Sequence, residues 1–88
     1  MKPTAIRNFY HYTVIVQLYY HLLQRYAYKM MPAKADADLI VADVMLKLWK
    51  EKASLSTEKA IRTFLKKNTK QQCMDWLQTK EARLEAIS

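Results

Sequence analysis

The sequence predicts an all-α chain, a compact bundle of three to four helices, and three observations carry that prediction. Glycine is absent and proline occurs only at Pro3 and Pro32, whereas the tight turns of β-hairpins draw on glycine or asparagine at positive φ. Hydrophobic residues make up 51% of the chain and are spread along its length, which argues for a packed core and against disorder. Apolar residues also recur at steps of three and four, the period of a helix face. At 88 residues one core is the most the chain can build, so a single domain over 1–88 is expected.

The first helix is expected from about Thr4 to Met31, ending before Pro32, whose ring disfavours helix at the preceding residue. Phe9, Tyr12, Val16, Tyr19, Leu23, Tyr26, Ala27 and Met30 form its stripe, while Tyr10, Tyr20 and Tyr28 fall off it. Its length also allows two helices with a bend. A second helix is expected from an Asp36 N-cap to about Lys52. Val41, Val44, Met45, Leu48 and Trp49 make its stripe. Leu39, Ile40 and Leu46 widen its apolar surface, so the helix is either central in the bundle or covered by a partner.

Residues 53–57 read as a polar connection, with Ser56 or Thr57 as the next N-cap and Glu58 in the first turn. The third helical stretch then runs towards Ala86. Ile61, Phe64 and Leu65 start its stripe; Cys73, Trp76 and Leu77 resume it. Asn68 and Gln72 interrupt the pattern and predict a bend near 68–72, a continuous helix with a polar notch being the alternative. The expected core is Val16, Tyr19, Leu23, Val44, Leu48, Phe64, Leu65 and Leu77.

The formal net charge is +7 and the pI about 9.6, which points to an acidic partner surface, nucleic acid first and anionic lipid second. Cys73 is the only cysteine, so no internal disulfide and no cysteine-rich metal site are expected, in keeping with a cytoplasmic location. The thiol is expected to act as a small buried hydrophobe. The apolar stretch Val14 to Leu23 is broken by Gln17 and His21 and is too short for a membrane span, and no signal peptide is read. His11 and His21 do not share a helix face and make a poor metal pair. No paired carboxylates, glycine-rich phosphate loop or Ser/His/Asp arrangement is present. The reading is therefore a protein that is not an enzyme and needs no cofactor or metal.

Lys59, Arg62, Lys66 and Lys70, spaced by three, four and four, put four cations along one side of the third helix, with Lys67 beside them. No acid stands between Glu58 and Asp75, so i,i+4 partners do not neutralise them. Such a strip can track the phosphates of a nucleic acid or serve as a solvated helix face. Phe64 and Trp76, near it, could stack on unpaired bases or belong to the core.

The run Ala37-Asp38-Leu39-Ile40-Val41-Ala42-Asp43-Val44-Met45-Leu46-Lys47-Leu48-Trp49-Lys50 resembles the Ala-Glu-Asp-Leu-Val-Gln-Glu-Val-Phe-Leu-Arg-Leu-Trp signature of the second region of extracytoplasmic-function sigma factors. Ile61-Arg62-Thr63-Phe64-Leu65 and Cys73-Met74-Asp75-Trp76-Leu77 are similar to the same family's later blocks, without a gap in spacing. The resemblance implies a helical bundle that serves transcription initiation. It implies that the second helix docks on the clamp coiled coil of RNA polymerase core through Leu39, Ala42, Asp43, Met45 and Trp49. It further implies that the non-template strand of the promoter minus-ten element meets Lys66, Lys67, Lys70 and Gln71, with Lys80 and Arg83 as backbone contacts. Lys59 and Arg62 join that DNA-binding set through the strip. An anti-sigma factor is a further candidate partner; a membrane is not.

Departures from the family pattern are specific. Leu39 and Ala42 stand where the family has acid and glutamine, leaving Asp43 as the main matching polar contact. Asn68-Thr69-Lys70-Gln71 replaces Ile-Ala-Arg-Asn, which bears on promoter preference. The family's second DNA-binding domain, a helix-turn-helix, has no counterpart in these residues, so the sequence is either a fragment or a stand-alone remnant. The rival reading is a non-catalytic adaptor derived from a sigma factor that binds protein only.

Overall fold

In a computed structural model, which describes residues 6–87 apart from the side chains of 82 and 84–87, three helices enclose one core. Helix α1 spans Phe9–Met30, α2 spans Lys34–Glu51 and α3 spans Glu58–Ile87, with a 3-10 turn at Lys52–Ser54 after α2. Each helix packs on both others. Among the described residues there is no strand, as the lack of glycine leads one to expect.

The starts of the helices follow capping chemistry. Asn8 is the N-cap of α1, its side-chain oxygen accepting from the His11 amide at 2.8 Å, which satisfies one of the four orphan donors. The expected start at Thr4 lies outside the described residues, and the segment is one helix without a break. α2 begins before the expected Asp36 cap: Ala33 is the N-cap and makes no side-chain bond. Asp36 sits instead inside the first turn, where its carboxylate still complements the positive end of the helix dipole. Thr57 caps α3, its hydroxyl accepting from the Ala60 amide at 3.0 Å, and Glu58 follows in the first turn.

The expected bend near 68–72 does not occur, and α3 is continuous. Asn68 and Thr69 are satisfied inside the helix, whereas the buried Gln72 Nε2 has no hydrogen-bond partner among the described residues. Asn68 Nδ2 donates to the Phe64 carbonyl at 2.8 Å and Thr69 Oγ1 to the Leu65 carbonyl at 2.7 Å. Thr69 is fully buried with its hydroxyl paired, so its methyl and Cβ pack like a small apolar residue. Ile61, Leu65, Thr69 and Cys73, each four residues apart, are the buried row of α3.

Leu23, Val44, Leu48 and Leu65 of the expected core are buried, while Val16, Tyr19, Phe64 and Leu77 pack against it from its edge. Ile15, Ala27, Val41 and Ile61 are among the other residues of the interior. Phe9, expected on the α1 stripe, is 65% exposed and stacks edge-on against Trp49 with ring centroids 5.7 Å apart. Tyr12 meets the same indole at 5.0 Å, and its hydroxyl donates to the Met45 carbonyl at 2.6 Å, joining α1 to α2.

Tyr12→Phe keeps the ring contacts and loses that bond, so chemical denaturation is expected to show a loss of about 1 kcal/mol. Burial also raises the Tyr12 phenol above its ordinary 10.0. Because the neutral phenol is the form the fold favours, its contribution is complete below pH 10.0 and is lost as pH rises through the higher folded value. Alkaline unfolding followed by circular dichroism therefore begins at lower pH for the wild type than for Tyr12→Phe, relative to each protein's neutral stability.

Cys73 is fully buried, and burial pushes its thiol up from 9.0. A thiol reagent is expected to label the native protein more than about tenfold slower than the unfolded chain, since labelling then waits on opening of the fold. Labelling at equal rates would place Cys73 at the surface.

Candidate functional site

The bundle presents two outward faces that its core does not use. On α2, Ala37, Ile40, Val41, Val44, Met45 and Leu48 point inward, and Leu39, Ala42, Asp43, Leu46, Lys47 and Lys50 point to solvent. Leu39 is 70% and Leu46 60% exposed. These two leucines, with Ala42 between them, make an apolar ridge, which burying one face of α2 does not require. Asp43 lies beside it and holds Lys47 at 3.7 Å in an exposed i,i+4 pair, an interaction worth little in water.

This arrangement corrects the expected docking set at one position and limits it at another. Met45 is 4% exposed, sealed between the helices, so it is not part of the outer face; Leu46, one residue on, is. Trp49 is half-buried, with Phe9 and Tyr12 on its ring and the Lys52 ammonium 3.8 Å from its centroid. Its indole thus ties the start of α1 to the end of α2 and is only partly exposed. Leu39, Ala42 and Asp43 are exposed on the outer face.

The second face belongs to α3. Lys59, Arg62, Lys66, Lys67 and Lys70 are all exposed, and among the described residues the one ion pair within 4.0 Å is Lys47 with Asp43. Glu58 stands one turn before Arg62 at the start of the strip, and beyond it the strip carries an excess of positive charge. Lys59, Arg62 and Lys66 border one shallow hollow with Thr63, and Lys70 continues their line one turn further. Lys67 and Gln71 are each one residue, about 100° around the helix, beyond Lys66 and Lys70. They flank the strip instead of extending it. Gln71 is exposed, with Nε2 donating to Asp75 at 3.0 Å.

Lys80 and Arg83 form a separate basic group at the far end of α3, where they line a surface hollow with Asp75, Trp76 and Thr79. The Lys80 ammonium lies 5.1 Å from the Trp76 ring centroid. From Lys66 to Lys80 the helix rises about 21 Å, enough for the two groups to meet different phosphates of one strand. Phe64 and Trp76 are both half-buried against the core, so each ring is already engaged on one side.

Among the described residues no group of three or more His, Cys, Asp or Glu could hold a metal ion, and none of the helices is long and apolar enough to cross a membrane.

The family model for sigma-70 region 2 matches residues 15–83. No curated protein and no solved structure is significantly similar to the chain.

Proposed function

Since this chain belongs to the sigma-70 region 2 family, a family of non-catalytic modules of transcription initiation, we propose that it docks on RNA polymerase core through the outer face of α2 and holds the opened minus-ten element along α3. The observation that carries this reading is the strip Lys59, Arg62, Lys66 and Lys70: exposed, aligned, and without an ion pair within 4.0 Å. Cations that the fold leaves unpaired gain most from a polyanion, since binding releases the counterions condensed on it. A single strand also tolerates a gently curved contact along one helix, because its backbone is free to follow the protein.

The division of labour follows the two faces. Leu39, Ala42 and Leu46 supply apolar contact with Asp43 as the polar neighbour, which suits a protein surface. The α3 cations suit phosphates, which position a strand without reading it. Base preference falls to Gln71 and Lys67 on the flank, exposed side chains next to the strip, with Gln71 exchanging its bond to Asp75 for one to a base edge. Lys80 and Arg83 take phosphates further along the strand.

The test is a titration of polymerase core and of a fluorescent single-stranded minus-ten oligonucleotide, separately and together. Binding to both, with affinity for the oligonucleotide falling as salt rises, fits the proposal. Core binding with no salt-dependent DNA binding would favour the protein-only adaptor, for which the exposed Leu39 and Leu46 already speak.

A further inference from the structure

Between α1 and α3 the bundle is open. Tyr19, Leu22, Leu23 and Tyr26 of α1 face Arg62, Leu65 and Lys66 of α3 across a cleft of about 240 Å³. Leu22 is 59% exposed, and Leu18, one turn before it on the same helical face, is 58% exposed. The cleft floor is apolar and its α3 rim carries two cations. Further along α1, Arg25 and Lys29 are exposed and follow Leu18 and Leu22 at helical spacing.

The charge on the two walls has one sign. α1 contains no aspartate or glutamate from Phe9 to Met30, and α3 contains none between Glu58 and Asp75. Glu58 stands at one end only, where it accepts from the Tyr19 hydroxyl at 2.9 Å. A strand of nucleic acid would meet the cations but gain nothing from exposed aliphatic Leu18 and Leu22. A second copy of this basic chain would be repelled.

We propose that this groove receives an acidic amphipathic helix of another protein, which completes a four-helix bundle. Its apolar stripe lies on the exposed Leu18 and Leu22, over a cleft floor that Leu23 and Leu65 only line, and its carboxylates face Arg62, Lys66 and Arg25. Helix-in-groove recognition of this kind reads apolar anchors at i, i+3 and i+4. One consequence rests on the DNA reading given above: Arg62 and Lys66 serve both ligands, so the helix and the strand exclude each other.

The probe is a synthetic helical peptide of about five turns with a leucine stripe and glutamates elsewhere, compared with a scrambled peptide of the same composition. Amide shifts are expected to gather on residues 18–26 and 61–66. Leu18→Gln with Leu22→Gln should weaken peptide binding by about tenfold or more, with helicity and oligonucleotide affinity unchanged, because both leucines are exposed and outside the strip. Equal binding of the scrambled peptide, shifts gathered on α2, or indifference to the double substitution would each overturn the proposal. Oligonucleotide shifts centred on Leu18 and Leu22 would also overturn it, making nucleic acid the occupant. A wild type that binds the striped peptide but no oligonucleotide would support the groove and remove the DNA reading instead.

Discussion

Reversing Lys66 and Lys70 to glutamate is expected to weaken binding to a single-stranded minus-ten oligonucleotide by roughly 25-fold or more at 0.1 M salt. The magnitude follows from counterion release, where each phosphate contact on a single strand contributes about 0.7 to the fall of log K per decade of salt. Two contacts, taken from 1 M salt down to 0.1 M, amount to about 1.4 in log K, and reversal adds repulsion to their loss. The slope against log salt should also become shallower by about 1.4. The fold should survive, because both side chains are exposed and neither makes an ion pair within 4.0 Å; exposed charges contribute little to stability. Lys67→Glu, on the flank, should act less strongly than either strip residue. Fluorescence anisotropy showing unchanged affinity and slope in the double reversal would mean that the strip is a solvated helix face, and the protein-only adaptor would become the better account.

The strip was legible in the sequence because its residues are charged and regularly spaced, and a helix of known period turns spacing directly into a face. The order of the helical stretches and a cap at Ser56 or Thr57 were legible for the same local reason. What the pattern left open is which of two adjacent apolar residues points inward. On α2 apolar residues occupy Leu39, Ile40, Val44, Met45 and Leu46, a wider arc than the core fills, so Met45 and Leu46 look alike until α1 and α3 are in place. On α1 the abundance of tyrosine blurred the stripe. Tyr12, Tyr19 and Tyr28 are half-buried, their rings against the core and their hydroxyls on Met45, Glu58 and Asp38, while smaller Ile15 and Ala27 take the interior. Those partners lie ten to 39 residues away in sequence, so no local period records them. Asn68 and Gln72 misled in the opposite sense, since polar residues within the stripe look like a break; Asn68 is instead bonded to the Phe64 carbonyl one turn back, and the helix runs on past both.

The two adjacent residues Met45 and Leu46 also give the sharpest test of the α2 face, because the structure assigns them opposite surroundings. Leu39→Asp with Leu46→Asp places two carboxylates on exposed positions, so helicity and thermal midpoint should stay close to wild type. If the ridge docks on polymerase core, the same change buries charge against a protein surface and removes two apolar anchors. Anchors of this kind are worth about 2 kcal/mol each when lost, or about thirtyfold per residue, so co-elution with core should disappear at micromolar concentration. Met45→Ala should do the reverse. It leaves the outer face intact but opens a cavity among α1, α2 and α3, costing about 2–5 kcal/mol of folding stability, while the fraction that remains folded binds core with wild-type affinity. DNA binding, carried by a different helix, should persist in the leucine double variant. Normal core binding by that variant would show that Leu39 and Leu46 do not dock on polymerase, and the partner of α2 would have to be sought elsewhere.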